Sequence, residues 1–150
     1  MPFKQVDISK KPVVYREATA SGRIKLRPGT IHLIQKGSLE KGDPLALAST
    51  AAILAVKSTP SIVALAHPLK VERTEPVVKL GKYWVEVTVT VGAHEKTGVE
   101  MEALTAVSAA LLNVWDVVKA YEKDSKGQYP STVIERIRVT NKVKRTNEAI

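Results

Sequence analysis

Glu100 and Glu102 stand one residue apart in Thr97-Gly98-Val99-Glu100-Met101-Glu102-Ala103-Leu104, at the head of the longest apolar helix-like stretch in the chain. Asp116 and Lys119 follow in the same stretch, spaced to share one helix face. Ionisable groups on an element otherwise built of Ala, Leu and Val are costly to bury unless they are paired or functional. Two carboxylates aimed into one cleft would grip a cation or a guanidine-like edge of a ligand. Residues two apart face the same way only on extended backbone, which Gly98 makes easy there; otherwise the two are first-turn acids favoured by the helix dipole. Asp116 and Lys119 read equally well as a surface ion pair or as a partly buried lysine tuned by a carboxylate for proton transfer. Leu65-Ala66-His67-Pro68-Leu69 adds a lone imidazole in an apolar run.

Spacing then constrains the site. Glu102 and Asp116 are 14 residues apart, or ~21 Å along one helix at ~1.5 Å per residue. One small substrate cannot readily touch both on a single copy of that helix. Either they serve different sites or a second subunit completes one. An obligate homo-oligomer is therefore expected, with Lys41 and Asp116, carried by the first and last long helices, meeting across the subunit interface. His67, His32 and His94 have no metal-ligand spacing, so no metal and no cofactor are expected. Lys41-Gly42-Asp43 could hold a phosphate or merely punctuate the chain. Walker, dinucleotide and Ser/His/Asp patterns are absent.

The elements that must position these groups fit in one domain of 150 residues, long enough for a hydrophobic core. Without cysteine there is no disulfide, thiol nucleophile or thiolate metal site. A net charge of +8 attracts polyanions, either nucleic acid or a small substrate with several phosphates. The first ten residues lack the apolar core of a signal peptide, and residues 103–118 are interrupted by Thr105, Ser108, Asn113 and Asp116. The expected protein is cytoplasmic, with no membrane partner. A nucleic-acid-binding module would need stacking aromatics on a basic face. The seven aromatic residues are scattered, with Trp84 near Lys82 the best candidate, so no nucleic-acid partner is expected.

Residues 1–22, polar and containing Pro12, read as an extended arm. Arg23–Leu26 and Thr30–Gln35 flank Arg27-Pro28-Gly29 as a short hairpin. Asp43 and Pro44 suit the start of a helix running to about Lys57 and stopped near Pro60. Val71–Leu80 and Tyr83–Val91 bracket a second hairpin, the latter alternating Val85, Val87, Val89 and Val91 with Glu86, Thr88 and Thr90. From Glu100 to about Lys123 the period is helical, through Leu104, Val107, Leu111, Val114 and Val118. A last strand spans about Val133–Thr140, and residues 143–150 read as a loose tail. The expected order is β-β-α-β-β-α-β, an antiparallel sheet covered by helices in a single α+β domain.

Together these segments closely resemble the molybdenum cofactor biosynthesis protein C family, the cyclic pyranopterin monophosphate synthases. The resemblance runs through Val6-Asp7-Ile8-Ser9 with Arg16-Glu17-Ala18, Lys41-Gly42-Asp43, Ala55-Val56-Lys57, Leu65-Ala66-His67-Pro68-Leu69, Thr97–Ala106 and Trp115-Asp116-Val117-Val118-Lys119-Ala120. It covers about residues 6–142, in the family's order. Two departures stand out: Ala66 replaces the family's usual cysteine, and Asn141-Lys142-Val143-Lys144 replaces a glycine-rich lysine segment. The first argues that no thiol is needed for the chemistry. The resemblance implies a ferredoxin-like subunit, a hexamer assembled as a trimer of dimers, and sites at a subunit interface. It implies a lyase that converts 3′,8-cyclo-7,8-dihydro-GTP, a cyclised GTP derivative, into cyclic pyranopterin monophosphate with release of pyrophosphate. Carried onto this chain, it assigns acid–base work to Lys41, Asp116 and Lys119. Substrate binding falls to His67, Glu100, Met101 and Glu102 with the backbone of Leu65 and Ala66, and phosphate contacts to Lys57, Arg16 and Lys142.

Overall fold

A computed structural model of the chain describes residues 2–146. The element order is β1 (Val14–Lys25), α1 (Pro28–Lys36), α2 (Pro44–Ile62), β2 (Arg73–Leu80), β3 (Trp84–Glu95), α3 (Glu100–Glu122) and β4 (Val133–Arg145). The four strands form one antiparallel sheet in the order β2-β3-β1-β4, with the helices on one face. This is an α+β, ferredoxin-like sheet, in which β1 and β3 are central and β2 and β4 are the edges.

The strand period places the core. Val85, Val87, Val89 and Val91 of β3 and Ala18, Ala20 and Ile24 of β1 are buried on the helix side. Residues between them, such as Thr19, Arg23, Thr88 and Thr90, point to the other face, where the Thr19 and Thr90 hydroxyls share a hydrogen bond of 2.9 Å. α3 lays Ala103, Ala106, Val107, Ala110, Leu111, Val114 and Val118 over that surface, all fully or almost fully buried. Its bounds, Glu100–Glu122, match the helix expected from sequence to within one residue. α2 and α3 are each long and apolar enough to cross a membrane, but α3 turns its apolar stripe to the sheet.

Four expectations are corrected. Strand β1 begins at Val14, so the arm ends at residue 13 rather than 22; the middle of its buried side is Ala18, Ala20 and Gly22, which carry little apolar signal. Residues 30–35 are not a strand but lie in α1. Pro28 occupies a position where no N–H is needed, Thr30, Ile31 and Ile34 form the buried side, and Gly37 closes the helix at φ 67. Helix α2 passes through Pro60 to Ile62, because a proline this close to the end removes only one intrahelical bond. Residues 143–145 belong to β4, paired with β1 at Val143–Glu17 and Arg145–Tyr15, whereas 147–150 of the expected tail lie outside the described residues.

The approach of α3 to β1 is close. A Cβ built on Gly22 would lie 2.9 Å from both Val107 Cγ1 and Ile137 Cγ1, and 3.1 Å from Leu111 Cδ1. Opposite Gly22, β4 bulges at Arg136, whose φ of 60 lets Ile137 turn toward that contact. Replacing Gly22 by Ala should therefore overpack the seam and destabilise the fold by about 1–3 kcal/mol. Urea unfolding measures this, and a variant as stable as the parent would show that the seam has slack.

Candidate active site

The turn Glu95–Val99 leaves β3 and delivers the chain into α3 at Glu100. Glu100 and Glu102 are thus both in the first helical turn, and the extended backbone considered for them is not found. The bland geometry still yields an unusual environment. Glu102 is 3% exposed. Burial pushes its carboxyl above the ordinary glutamate range, and the charges of Glu100 and Glu95 add to that against its own backbone amide. Glu100 behaves oppositely. Burial pushes it up, but the hydrogen bond from Lys142, its own backbone amide and the nearby Arg16 outweigh that and hold it low. Lys142 Nζ lies 2.6 Å from Glu100 Oε1. The Glu100 carboxylate folds back over Gly98, so a side chain at that position would displace it.

Beside this turn lies a cavity of about 450 Å³, lined by Leu65, Ala66, His67 and Leu69, by Gly98, Met101 and Glu102, and by the N-terminal arm. It gathers five of the residues assigned to substrate binding from sequence: Leu65, Ala66, His67, Met101 and Glu102. Glu100 stands just outside with Lys142. The ring of His67 donates from Nε2 to the Val6 carbonyl at 2.7 Å. Arg16 is 6% exposed and donates to the carbonyls of Glu95 and Lys96 at 3.2 and 3.3 Å, so its guanidinium braces the turn before α3. Lys57 sits exposed on α2 and is not part of the cavity lining.

Sixteen residues along α3, or ~24 Å, the remaining assigned residues form a second cluster. Asp116 receives Lys119 at 3.0 Å on Oδ1 and Lys41 at 3.0 Å on Oδ2, and its backbone carbonyl also accepts from Lys41 at 3.3 Å. The hydrogen bonds from Lys119 and then Lys41 hold the Asp116 carboxyl below its ordinary range, and Asp116 in turn raises Lys119. One expectation fails here: Lys41 and Asp116 meet within one chain, because α1 and the following turn fold back onto α3. Of the two readings open for Asp116 and Lys119, the surface ion pair is the one found: all three side chains are about half exposed, and the carboxylate favours the protonated form of Lys119.

Residues that sequence reasoning missed include Lys4 and Lys11, in the cavity wall. Their only signal was position in a basic arm. Among the described residues, no three His, Asp or Glu side chains are grouped as a metal site would need. Trp84, the candidate stacking platform, has the Arg23 guanidinium 4.5 Å over its ring, so one face is already covered.

Residues 5–144 match the model of the MoaC family. Relatives include proteins called probable cyclic pyranopterin monophosphate synthase in three archaea. The Pyrococcus horikoshii protein is 54% identical over 144 residues, covering 96% of this chain and 91% of the relative. Those of Pyrococcus furiosus and Sulfurisphaera tokodaii are 55% and 53% identical over 141 residues, covering 94% of this chain and 90% and 93% of theirs.

The raised Glu102 has a consequence for stability. A carboxyl whose pKa is higher folded than unfolded contributes stability below the ordinary glutamate range and loses it as pH rises through the folded value. Glu102→Gln removes that dependence. Its melting temperature should exceed the parent's at about pH 8, with the difference shrinking toward about pH 4. Parallel melting curves at all pH values would refute the burial cost.

Proposed function

The chain belongs to the MoaC family, and on that premise we propose that it is a cyclic pyranopterin monophosphate synthase, acting in molybdenum cofactor biosynthesis. Its substrate is then 3′,8-cyclo-7,8-dihydro-GTP. The purine-derived ring is opened and rebuilt as a pterin, and a hydroxyl oxygen bonds to the α-phosphorus as pyrophosphate leaves. Several protons move in those steps. The observation that carries this reading is the division of labour along α3, in a chain whose relatives bear that name. One end has a cavity with a buried carboxyl and a half-buried imidazole, and the other an exposed Lys–Asp–Lys cluster.

Glu102 in the cavity and Glu100 at its edge accept from the N–H edge of the guanine-derived ring, and the backbone at Leu65 and Ala66 borders it. At the other end Lys119, held protonated by Asp116, is the proton donor. Lys41 shares the same carboxylate and supplies the second ammonium. Their exposure in a single chain argues that a neighbouring surface completes and desolvates the site. The rigid length of α3 keeps the two clusters apart in one subunit, so one site draws its cavity from one chain and its lysines from another. Exposed Leu47, Ile53, Leu54 and Ile62 on α2 and Leu112 on α3 supply apolar surface for such a contact. The expected assembly is a hexamer of paired subunits, located in the cytoplasm.

Incubation with the cyclised GTP derivative tests the activity, with pyrophosphate release expected and its absence refuting it. Lys41→Ala and Lys119→Ala should each lower kcat by at least ~100-fold while melting like the parent, in keeping with general acid–base groups. Near-normal turnover would remove them from the chemistry. Complementation tests the shared site. Asp116→Ala and Glu102→Ala chains, each inactive, are dissociated, mixed and reassembled. Half the pairs are then mixed and one of their two sites is intact, so about a quarter of the parent activity should return. No recovery with verified subunit exchange would place both clusters in one chain's site.

A further inference from the structure

The cavity wall formed by Leu65, Ala66, His67 and Leu69 belongs to the connection between α2 and β2. That connection is irregular, so its backbone has no helix or ladder to hold it. A turn closes its start, where the Ala66 amide donates to the Val63 carbonyl at 3.0 Å. Its end joins the sheet, where the Glu72 amide donates to the Gly92 carbonyl at 3.0 Å, just before the pair Arg73–Gly92. Gln5 Nε2 and the His67 ring link its first half to the N-terminal arm. Leu69 and Val71 pack their side chains against the core, and Pro68 has no N–H to donate.

Beyond Arg73–Gly92 carboxylates take the place of the ladder. Glu72 Oε1 accepts from the His94 amide at 2.8 Å, and Glu95 Oε1 accepts from the Lys70 amide at 2.9 Å. Among the described residues, the Lys70 amide is the one backbone N–H of residues 67–71 that meets an acceptor. Its bond adjoins the cavity on both sides. Lys70 directly follows Leu69 in one wall, and Glu95 stands two residues before Thr97 and three before Gly98 in the other. Glu95 is itself well anchored. It ends β3, pairs with Val14 on β1, and its carbonyl accepts from Arg16 Nε at 3.2 Å. A bond from an amide to a carboxylate is among the stronger hydrogen bonds of proteins, so a fixed post on β3 holds an otherwise untied backbone.

We propose that Glu95 is a positioning residue: by holding the Lys70 amide it sets the spacing between the His67–Leu69 wall and the Thr97–Glu102 wall of the cavity. Its carboxylate is engaged by that amide and meets no substrate. The consequence for turnover rests on reading this cavity as the nucleotide site; the tie itself does not. Without the tie, the segment carrying His67 draws back from Gly98 and Met101. That weakens the grip on the ring and leaves the Lys41, Asp116 and Lys119 cluster untouched.

Two substitutions separate this role from general stability. Glu95→Ala removes the acceptor, whereas Glu95→Gln keeps an oxygen in its place. Amide exchange of the full-length chain reads the tie directly. The Lys70 amide should exchange at least ~10-fold faster in Glu95→Ala than in the parent, and within about threefold of the parent in Glu95→Gln, as expected for loss and retention of the bond. Steady-state kinetics with the cyclised GTP derivative reads the spacing. Glu95→Ala should raise KM at least ~5-fold with kcat within about twofold of the parent, and Glu95→Gln should restore KM to within about twofold, the pattern of a lost binding contribution. Unchanged Lys70 exchange in Glu95→Ala overturns the tie. Faster exchange with unchanged KM overturns the positioning role, since the bond would then hold the segment without shaping the site. Equal losses of activity and melting temperature in both variants overturn it as well, because they report damage to the fold that a retained oxygen does not repair. A parent that releases no pyrophosphate sinks the synthase reading alone, and the exchange comparison then decides the tie by itself.

Discussion

The close seating of α3 on the sheet governs the rest of this molecule. Gly22, Ala18 and Ala20 on β1 face Ala103, Ala106, Val107 and Ala110 on the helix, and every one of these positions is buried. Small residues let the helix approach until a single methyl at Gly22 would touch three neighbours. Because interiors pack at crystal-like density, such a seam fixes the helix in both rotation and height. It therefore fixes what α3 carries at each end: Glu102 turned into a cavity at its start, and Asp116 turned toward solvent four turns later.

Electrostatics then differentiates the two ends. At the start, carboxylates sit where helix amides favour negative charge, yet burial divides them: Glu100 is held ionised by Lys142, and Glu102 is pushed toward neutrality. Near the end, Lys119 lies where the dipole favours a cation, and Asp116 reinforces its charge. A protonatable carboxyl at one end and firmly charged ammonium groups at the other are chemically different surfaces. A helix cannot bend to bring them together. The intersubunit reading follows from that rigidity more than from any surface feature.

The lysine cluster depends on contacts that do no chemistry themselves. Glu122, fully buried, accepts from the Thr30 and Thr132 hydroxyls and from the Arg27 amide, which ties the end of α3 to α1 and to the approach to β4. Arg27 also donates to the Tyr121 carbonyl, and the Tyr121 hydroxyl accepts from the Glu40 amide at 3.2 Å. Glu40 precedes Lys41, so this chain of bonds sets where the lysine reaches Asp116. The same side of the fold thus supports both stability and the site, and a buried carboxylate with several partners is costly to disturb.

Sequence alone determined the elements whose period was strong: the alternating valines of β3, the apolar stripe of α3, and the Asp43-Pro44 start of α2. It also marked Glu100, Glu102, Asp116, Lys119 and His67 as residues out of place on apolar segments, and the length of α3 as too great for one small ligand to span. It misread β1 and α1. The middle of the buried side of β1 is Ala18, Ala20 and Gly22, too small to signal burial, and Pro28-Gly29 serves a helix start as readily as a turn. Only the tertiary structure decided which charges meet. Lys41 lies 75 residues from Asp116, Lys142 reaches Glu100 by way of β4, and an arm of no regular structure supplies two lysines to the cavity. Spacing along a chain fixes neighbours within one helix or strand. Contacts between elements depend on how their faces pack, and that is settled by the fold as a whole.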